Sequence, residues 1–488
     1  MEENNQSLSA QNEKAPLKLN YKRTFTIGFA FFGILLLWQV YDTWCPTFLT
    51  ELFVKAFNRP NEEVQYLVGI IMAFDNLAAL ILLPIFGRLS DKTKTPLGKR
   101  MPYILVGTFV CAVAFPFVPV FFHFGNIPGT IAMMAIVLIF AMMYRNPAVA
   151  LMPDMTPKPL RSKANGIINI MGYIGGAFAT VVGFFFVLSE YLGTKMKTLE
   201  DGTKVLAPHT WAYNNMWAVE LPFLIAALLM LISALVLFFT IKENKIAEEV
   251  REDMIRGEEE SEAVDKMSDD DEGPITPANK RMLWLILGAE FFWFMADNGI
   301  GTFLNNYVIY NLHGSSASTS LMVIISGVGS IIGFITGGMI ASKIGRKWTI
   351  LIGLVGTFAS YAIWIILTFA IGFPGDSVPV WLFGIWFIKG LGMSLVHVNS
   401  YPMVVELCSS KKIGAYTGYY YASSMAAQTI TPILLGMLLL VPSFNWDILP
   451  IYATICVAVS SVVFFFIKNV KSKKTSFKKG LEALDVDE

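Results

Sequence analysis

Twelve separate stretches of about 20 mostly apolar residues recur along the chain, each long enough to cross a hydrocarbon core as a helix. They run over 24–49, 64–89, 102–123, 129–153, 164–190, 215–241, 281–307, 318–341, 348–371, 379–407, 414–440 and 446–467. A bilayer admits only helices and closed barrels, and helical stretches of this length predict an all-α integral membrane protein of 12 transmembrane helices. The composition agrees: 55% of the residues are hydrophobic and 15% charged, with a formal net charge of zero. A soluble fold and a basic nucleic-acid binder are both excluded on that ground. The polar first residues predict no secretory signal. Four dispersed cysteines, Cys45, Cys111, Cys408 and Cys456, have no metal-ligand or disulfide-framework spacing and are expected to act as small buried hydrophobes.

One long hydrophilic segment, 242–280, separates spans six and seven and carries 14 acidic and six basic residues. It is expected to be a helical or disordered linker. The organisation is therefore a tail (1–23), a six-helix bundle (24–241), the charged linker (242–280), a second six-helix bundle (281–467) and a second tail (468–488). Lys and Arg fix the orientation, because acidic residues contribute little to it. With the amino terminus inside, 30 basic residues fall on the cytoplasmic side and five outside, while Arg145 and Lys389 lie within spans. Both termini are thus expected in the cytoplasm.

The two bundles read as parallel repeats. Gly87-Arg-Leu-Ser-Asp91 after span two is matched by Gly338-Met-Ile-Ala-Ser342 after span eight, 251 residues later. Asp154 and Gly166 are matched by Glu406 and Gly418, each 252 residues later. Parallel six-span repeats are a transporter arrangement, with the substrate site near midplane between the repeats.

The loop sequence Ser90-Asp-Lys-Thr-Lys-Thr-Pro-Leu-Gly-Lys-Arg-Met-Pro102, with its shorter copy ending Gly345-Arg346-Lys347, resembles the signature of the major facilitator superfamily. Its lengthened form is similar to the glycoside–pentoside–hexuronide:cation symporters and to sucrose/proton symporters. Tyr144-Arg-Asn-Pro, Leu151-Met-Pro-Asp154 and Asn399-Ser-Tyr-Pro402 look like the bacterial sucrose-transporter-like branch. The resemblance implies proton-coupled uptake of a sugar or glycoside by alternating access across the plasma membrane. It also implies helices one, four, seven and ten around the cavity. A melibiose-permease type would carry two aspartates one turn apart on span two. Only Asp75 stands here, about a turn earlier, so a proton is the expected coupling ion and sodium the alternative. A drug/proton antiporter on the same fold is the alternative function.

Charges inside a membrane face a cavity or a partner, so they are functional candidates by default. Asp75 and Asp42 are the candidate coupling carboxylates. Arg145 would hold hydroxyls or neutralise an acid such as Asp75, and it shares its repeat position with His397. On span seven Glu290, Trp293, Phe294 and Asp297 share one face, which fits a sugar-facing wall; for the aromatics, packing is the other reading. Glu290 and Lys389 could form a buried pair. The span-eleven stripe Thr417, Tyr421, Ser424, Gln428 and Thr431 is polar in both halves only toward its cytoplasmic end, where Asn165 and Asn169 match it. Gln39, Asn169 and Gln428 are read as cavity lining, and Gly172, Gly176 and Ala179 as helix packing. Asn399 is a substrate candidate on the resemblance alone. At the cytoplasmic helix ends Gly87, Asp91, Arg100, Asp154, Gly345, Arg346 and Glu406 are expected to form a conformational latch, weaker in the second copy because Ser342 replaces an acid. No catalytic or metal-binding constellation is present in the sequence, so no enzyme activity, cofactor or metal is expected; the expected partners are the lipid bilayer and a sugar, with the protein a monomer.

Overall fold

A computed structural model describes residues 17–188, 192, 196–198, 204–206, 217–268, 277–372, 377–405, 407 and 413–467. Its first half contains α1 (Tyr21–Phe57), α2 (Asn61–Lys92), α3 (Met101–Ala114), α4 (Phe117–His123), α5 (Ile127–Asp154), α6 (Arg161–Phe185) and α7 (Trp217–Thr240). The linker supplies α8 (Glu243–Glu249) and α9 (Arg251–Ser268). The second half contains α10 (Pro277–Asn306), α11 (Ser316–Ile344), α12 (Arg346–Ile371), α13 (Val380–Val405), α14 (Ile413–Leu439) and α15 (Ile448–Phe465). Glu406 and Cys408 lie outside the described residues.

The third expected span is broken into α3 and α4 at Phe115-Pro116, since Pro lacks the N–H that a continuous helix needs. A two-stranded antiparallel hairpin, Met196–Thr198 with Lys204–Leu206, sits in the connection between α6 and α7. Among the described residues eleven helical spans, α3 and α4 counted as one, are long and apolar enough to cross a membrane. The seventh expected span, α10, falls short on composition because Glu290, Asp297 and Asn298 interrupt it. The protein is an integral membrane protein with the helical architecture the hydropathy pattern demands.

Packing repeats between the halves. In the first, α1 packs on α6 and α7, α5 on α2 and α3, and α3 on α7. In the second, α10 packs on α14 and α15, α13 on α11 and α12, and α12 on α15. These are the same pairs displaced by one half, and each half closes around its own hydrophobic core. The loop glycines repeat too: Gly98 has φ 109° and Gly345 φ 90°, each just before the N-terminus of the following helix. A side chain at either would be strained in that left-handed region. The halves meet through three pairs that also exchange under the repeat, α2 with α14, α6 with α11 and α1 with α10.

The linker is folded and docked. Glu243 is buried and its carboxylate accepts the backbone N–H groups of Lys99, Arg100 and Met101 at 2.9–3.2 Å. It therefore caps the N-terminus of α3 from a different helix, where orphan donors and the helix dipole both favour an anion. Asn244 Nδ2 donates to the carbonyls of Thr95 and Pro96, both at 3.0 Å. Gly257 of α9 seats against Pro157 and Pro159, so the linker holds two loops of the first half at once. We call this the linker end and its opposite the far end.

Candidate functional site

The first-half cluster is built from three helices. Tyr41 on α1 donates its hydroxyl to Asp75 Oδ1 on α2 at 3.1 Å. Asp75 is 8% exposed, and its Oδ2 has no hydrogen-bond partner. Asp42, next to Tyr41, is exposed, and the Arg145 guanidinium on α5 acts on it electrostatically. Asp42 also acts on Asp75. The sequence reading offers Asp75 as an acid for Arg145 to neutralise; in the structure the Arg145 guanidinium acts on Asp42. Helix phase decides this, because Tyr41 and Asp42 point about 100° apart and only Tyr41 reaches the buried side of α2. Gln39 is turned onto its own helix, donating to Thr43 Oγ1 at 3.2 Å.

The second-half cluster pairs Asp297 on α10 with Lys389 on α13, Oδ1 to Nζ, at 2.5 Å. Their side chains are 33% and 17% exposed, so water reaches both. His397 lies within the field of this pair and against the Phe294 ring, at 5.4 Å between centroids. Asp297, not Glu290, is therefore the partner of Lys389. Glu290 is fully buried, with neither carboxylate oxygen bonded among the described residues. Trp293 is also fully buried, packed on Phe464 of α15, so it forms no part of an open wall. Glu290 and Asp297 are almost in phase on α10; what differs is which neighbours cover that face at each depth. Near Glu290, Ser423 of α14 donates to the Leu287 carbonyl and Ser460 of α15 to the Ala289 carbonyl, both at 2.9 Å.

Other candidates separate from these clusters. Gln428 is half-buried on α14, and its carbonyl accepts Asn76 Nδ2 at 3.2 Å, which holds α2 to α14 beside Asp75. Asn169 is buried within the first half. Asn399 is buried, donates to the Leu395 carbonyl of its own helix and accepts Arg346 Nη1 at 3.5 Å, which makes it part of the second loop corner rather than a cavity wall. Close packing of α6 on α1 accounts for two of the span-five glycines: Gly172 faces Leu35 and Gly175 meets the Phe32 carbonyl, whereas Gly176 has open space around it. Gly176 is thus not a packing position, one residue having shifted the contact by a helical step.

The linker-end corner of the first half is dense. Arg100 Nε donates to Asp154 Oδ2 at 2.9 Å, its Nη1 to Ser90 Oγ at 2.5 Å, and its Nη2 pairs with Asp91 at 2.5 Å. Lys99 adds a pair to Asp154 at 3.0 Å. Burial works to lower the Arg100 guanidinium, but its bonds to Asp154 and Asp91 outweigh that and hold it above its ordinary range. Gly87 lets α2 approach Asn146, whose Nδ2 donates to the Leu83 carbonyl at 2.6 Å. At the matching corner Ser342 bonds only back to Met339 of its own helix among the contacts described, and Gly345 precedes Arg346.

The sequence reading missed the far-end seal. Thr47 donates to Asn306 Oδ1 at 2.7 Å, Asn306 Nδ2 reaches Thr50 Oγ1 at 3.0 Å and Gln65 Oε1 at 3.2 Å, and Asn305 Nδ2 reaches Thr47 at 3.0 Å. Tyr310 donates to Glu51 at 2.7 Å and Trp446 to Asn61 at 2.7 Å. Gly69 lies against the Pro432 carbonyl and Gly436 against the Gln65 backbone, so the two halves touch main chain to main chain there. An Asn doublet at the end of a span and threonines at helical spacing on span one were the available signals. Within the spans, Asp42 is exposed and Arg145, Asp297, Lys389 and His397 are half-buried, so these charged and titratable groups keep access to solvent while the far end is tied across the halves.

The family model described as Major Facilitator Superfamily matches residues 2–180 and 286–485. No curated protein matches the chain in sequence. Among solved structures it is similar to the inward-open xylose transporter XylE from E. coli, with TM-score 0.62 and 16% identity over 95% of this chain and 99% of that one. A D-xylose-proton symporter gives TM-score 0.60 and 18% identity over 93% of this chain and 100% of that one. A bacterial homologue of the iron transporter ferroportin, in an inward-facing state, gives 0.62 and 13% over 92% and 99%. Identities this low carry the fold alone, and the family rests on the model match across both halves. The chain belongs to the Major Facilitator Superfamily of membrane transporters.

Proposed function

We propose that this transporter takes up a sugar or glycoside together with a proton by alternating access, in the plasma membrane, with the linker end in the cytoplasm. The observation that carries the reading is the inequality of the two first-half acids. Asp42 is exposed and answered by Arg145, whereas Asp75 is buried with a single hydroxyl bond and one unbonded oxygen. A carboxylate there lacks the counter-charge that burial demands, so protonation is the cheaper state, and release on hydration is the coupling event. A passage between the halves would present groups suited to hydroxyls: Arg145, the Asp297–Lys389 pair and His397 beside the Phe294 ring. An isolated acid in an apolar chamber, as a carrier of greasy cations needs, does not describe this set. The ferroportin homologue shares the fold, so substrate class rests on these residues and not on architecture. The basic residues, 30 on the linker side against five opposite, support the orientation.

The test is uptake into proteoliposomes over a panel of sugars, with pH and sodium gradients imposed separately. Accumulation driven by the pH gradient is expected. Transport indifferent to that gradient, or driven only by sodium, overturns the coupling reading, and export of hydrophobic cations without sugar uptake overturns the substrate class.

A further inference from the structure

We propose that Glu290 is a second proton-carrying carboxyl, set in the second half apart from the Asp297–Lys389 pair, that loads and releases its proton as α10 moves. The inference rests on the proton-coupled reading above and adds a site to it. Glu290 is fully enclosed, and neither carboxylate oxygen has a bonding partner among the described residues. The charged and titratable groups on the helices around it are occupied elsewhere. Lys389 of α13 holds Asp297, His397 sits within that pair's field, and Tyr420 of α14 shares a hydrogen bond with Ser400. On α15, Tyr452 donates to Thr431 Oγ1 at 3.4 Å, and on α1 Asp42 lies in the field of Arg145. An ionised carboxylate with no partner costs far more than the neutral acid, so the group carries its proton in this state.

Contrast with Glu220 sharpens the point. That acid is also buried and likewise has no hydrogen bond to either oxygen among the described residues, but it occupies the first turn of α7, where the helix dipole favours an anion, and His123 lies 3.9 Å away. Glu290 lies in mid-helix and has neither. A position serving packing alone would be better filled by an apolar side chain of similar volume. Two hydroxyls from α14 and α15, Ser423 and Ser460, bond to the carbonyls of Leu287 and Ala289 in the turn before it. The same helix ends in Asn305 and Asn306, the core of the far-end seal. Opening that seal displaces α10 against α14 and α15, which changes what Glu290 can bond. The O–H bond formed with a solvent proton in one state is broken by release to solvent in the other, with no other atom transferred.

The experiment is difference infrared spectroscopy of the purified full-length protein, jumped from acid to alkaline pH. A protonated carboxyl free of hydrogen bonds absorbs at the high-frequency end of the carboxyl range, whereas Asp75, bonded to Tyr41, absorbs lower. Loss of a high-frequency band in the wild type on the jump, its absence in Glu290→Gln and its displacement in Glu290→Asp are the expected results. A band that never titrates, or an identical difference spectrum in Glu290→Gln, overturns the proposal. Asp75→Asn reports separately on the coupling reading, because it removes the lower band and leaves the higher. If Glu290→Gln fails to fold, Glu290→Asp still decides the matter.

Discussion

The two halves share one packing plan yet hold different charge clusters at their meeting face. The first half sets two acids against one guanidinium, and leaves Asp75 with only a tyrosine hydroxyl. The second balances Asp297 against Lys389 in a close pair, with His397 alongside. A balanced pair has no reason to change protonation, while an acid without counter-charge does. On the proposed reading, the difference would put energy coupling in the first half and substrate placement in the second, on a scaffold that treats both alike.

Asp75→Asn against Asp297→Asn is the sharpest way to break that division. Asp75→Asn is expected to abolish gradient-driven accumulation while sparing exchange of labelled sugar, a loss of ~100-fold or more, the scale of a missing proton-transfer group. Asp297→Asn is expected to weaken apparent affinity and keep the pH dependence. Uncoupling by Asp297→Asn would dissolve the comparison.

Where the halves join, Asn306→Ala removes a residue bonded to Thr47, Thr50 and Gln65. Unsatisfied buried partners cost about 1–3 kcal/mol each, so a net shift of ~2 kcal/mol toward a far-open state is expected, about 30-fold in population. Spin labels at Lys55→Cys and Leu440→Cys would report it as a longer distance component. A distribution identical to that of Asn306 would mean the network does not hold the seal.

Lys389→Gln should cost ~2 kcal/mol of stability in detergent, less than the ~3–5 of a fully buried pair because water reaches both side chains. Lys389→Gln combined with Asp297→Asn should recover most of that, since neither charge is then left alone. Additive losses would show that the two do not act as a pair.

The smallest effect belongs to the loop corners. Arg100 engages Ser90, Asp91 and Asp154, whereas Ser342 stands where the second copy would have its acid. Ser342→Asp should raise thermal stability by ~0.5 kcal/mol through a partly exposed pair with Arg346, screened by salt. No change at low salt would separate the two corners in geometry as well as in residue type.

Much of the fold was legible because hydropathy and repeat spacing are one-dimensional. Spans, linker and halves follow from where apolar residues run and where they stop. Even so, the break at Phe115-Pro116 and the docked linker were not written in those patterns: Glu243 reads as one acid among 14 in its segment until α3 is brought beneath it. Site residues were legible as a set and not as pairs. Asp42, Asp75, Arg145, Asp297, Lys389 and His397 stood out because intramembrane charge is costly. The partners Arg145–Asp42 and Lys389–Asp297, the enclosure of Glu290 and Trp293, and the turning of Asn399 toward Arg346 did not.

The sequence by itself determined that the chain is a membrane-embedded duplication with a few expensive charges held near its middle, because exclusion of charge from hydrocarbon acts on each residue singly. Only the tertiary structure decided which charges meet, which acid is enclosed without a bonding partner among the described residues and which end is sealed. Those outcomes depend on which helix covers which face at a given depth, and contacts between residues 259 positions apart, such as Thr47 with Asn306, have no local signature.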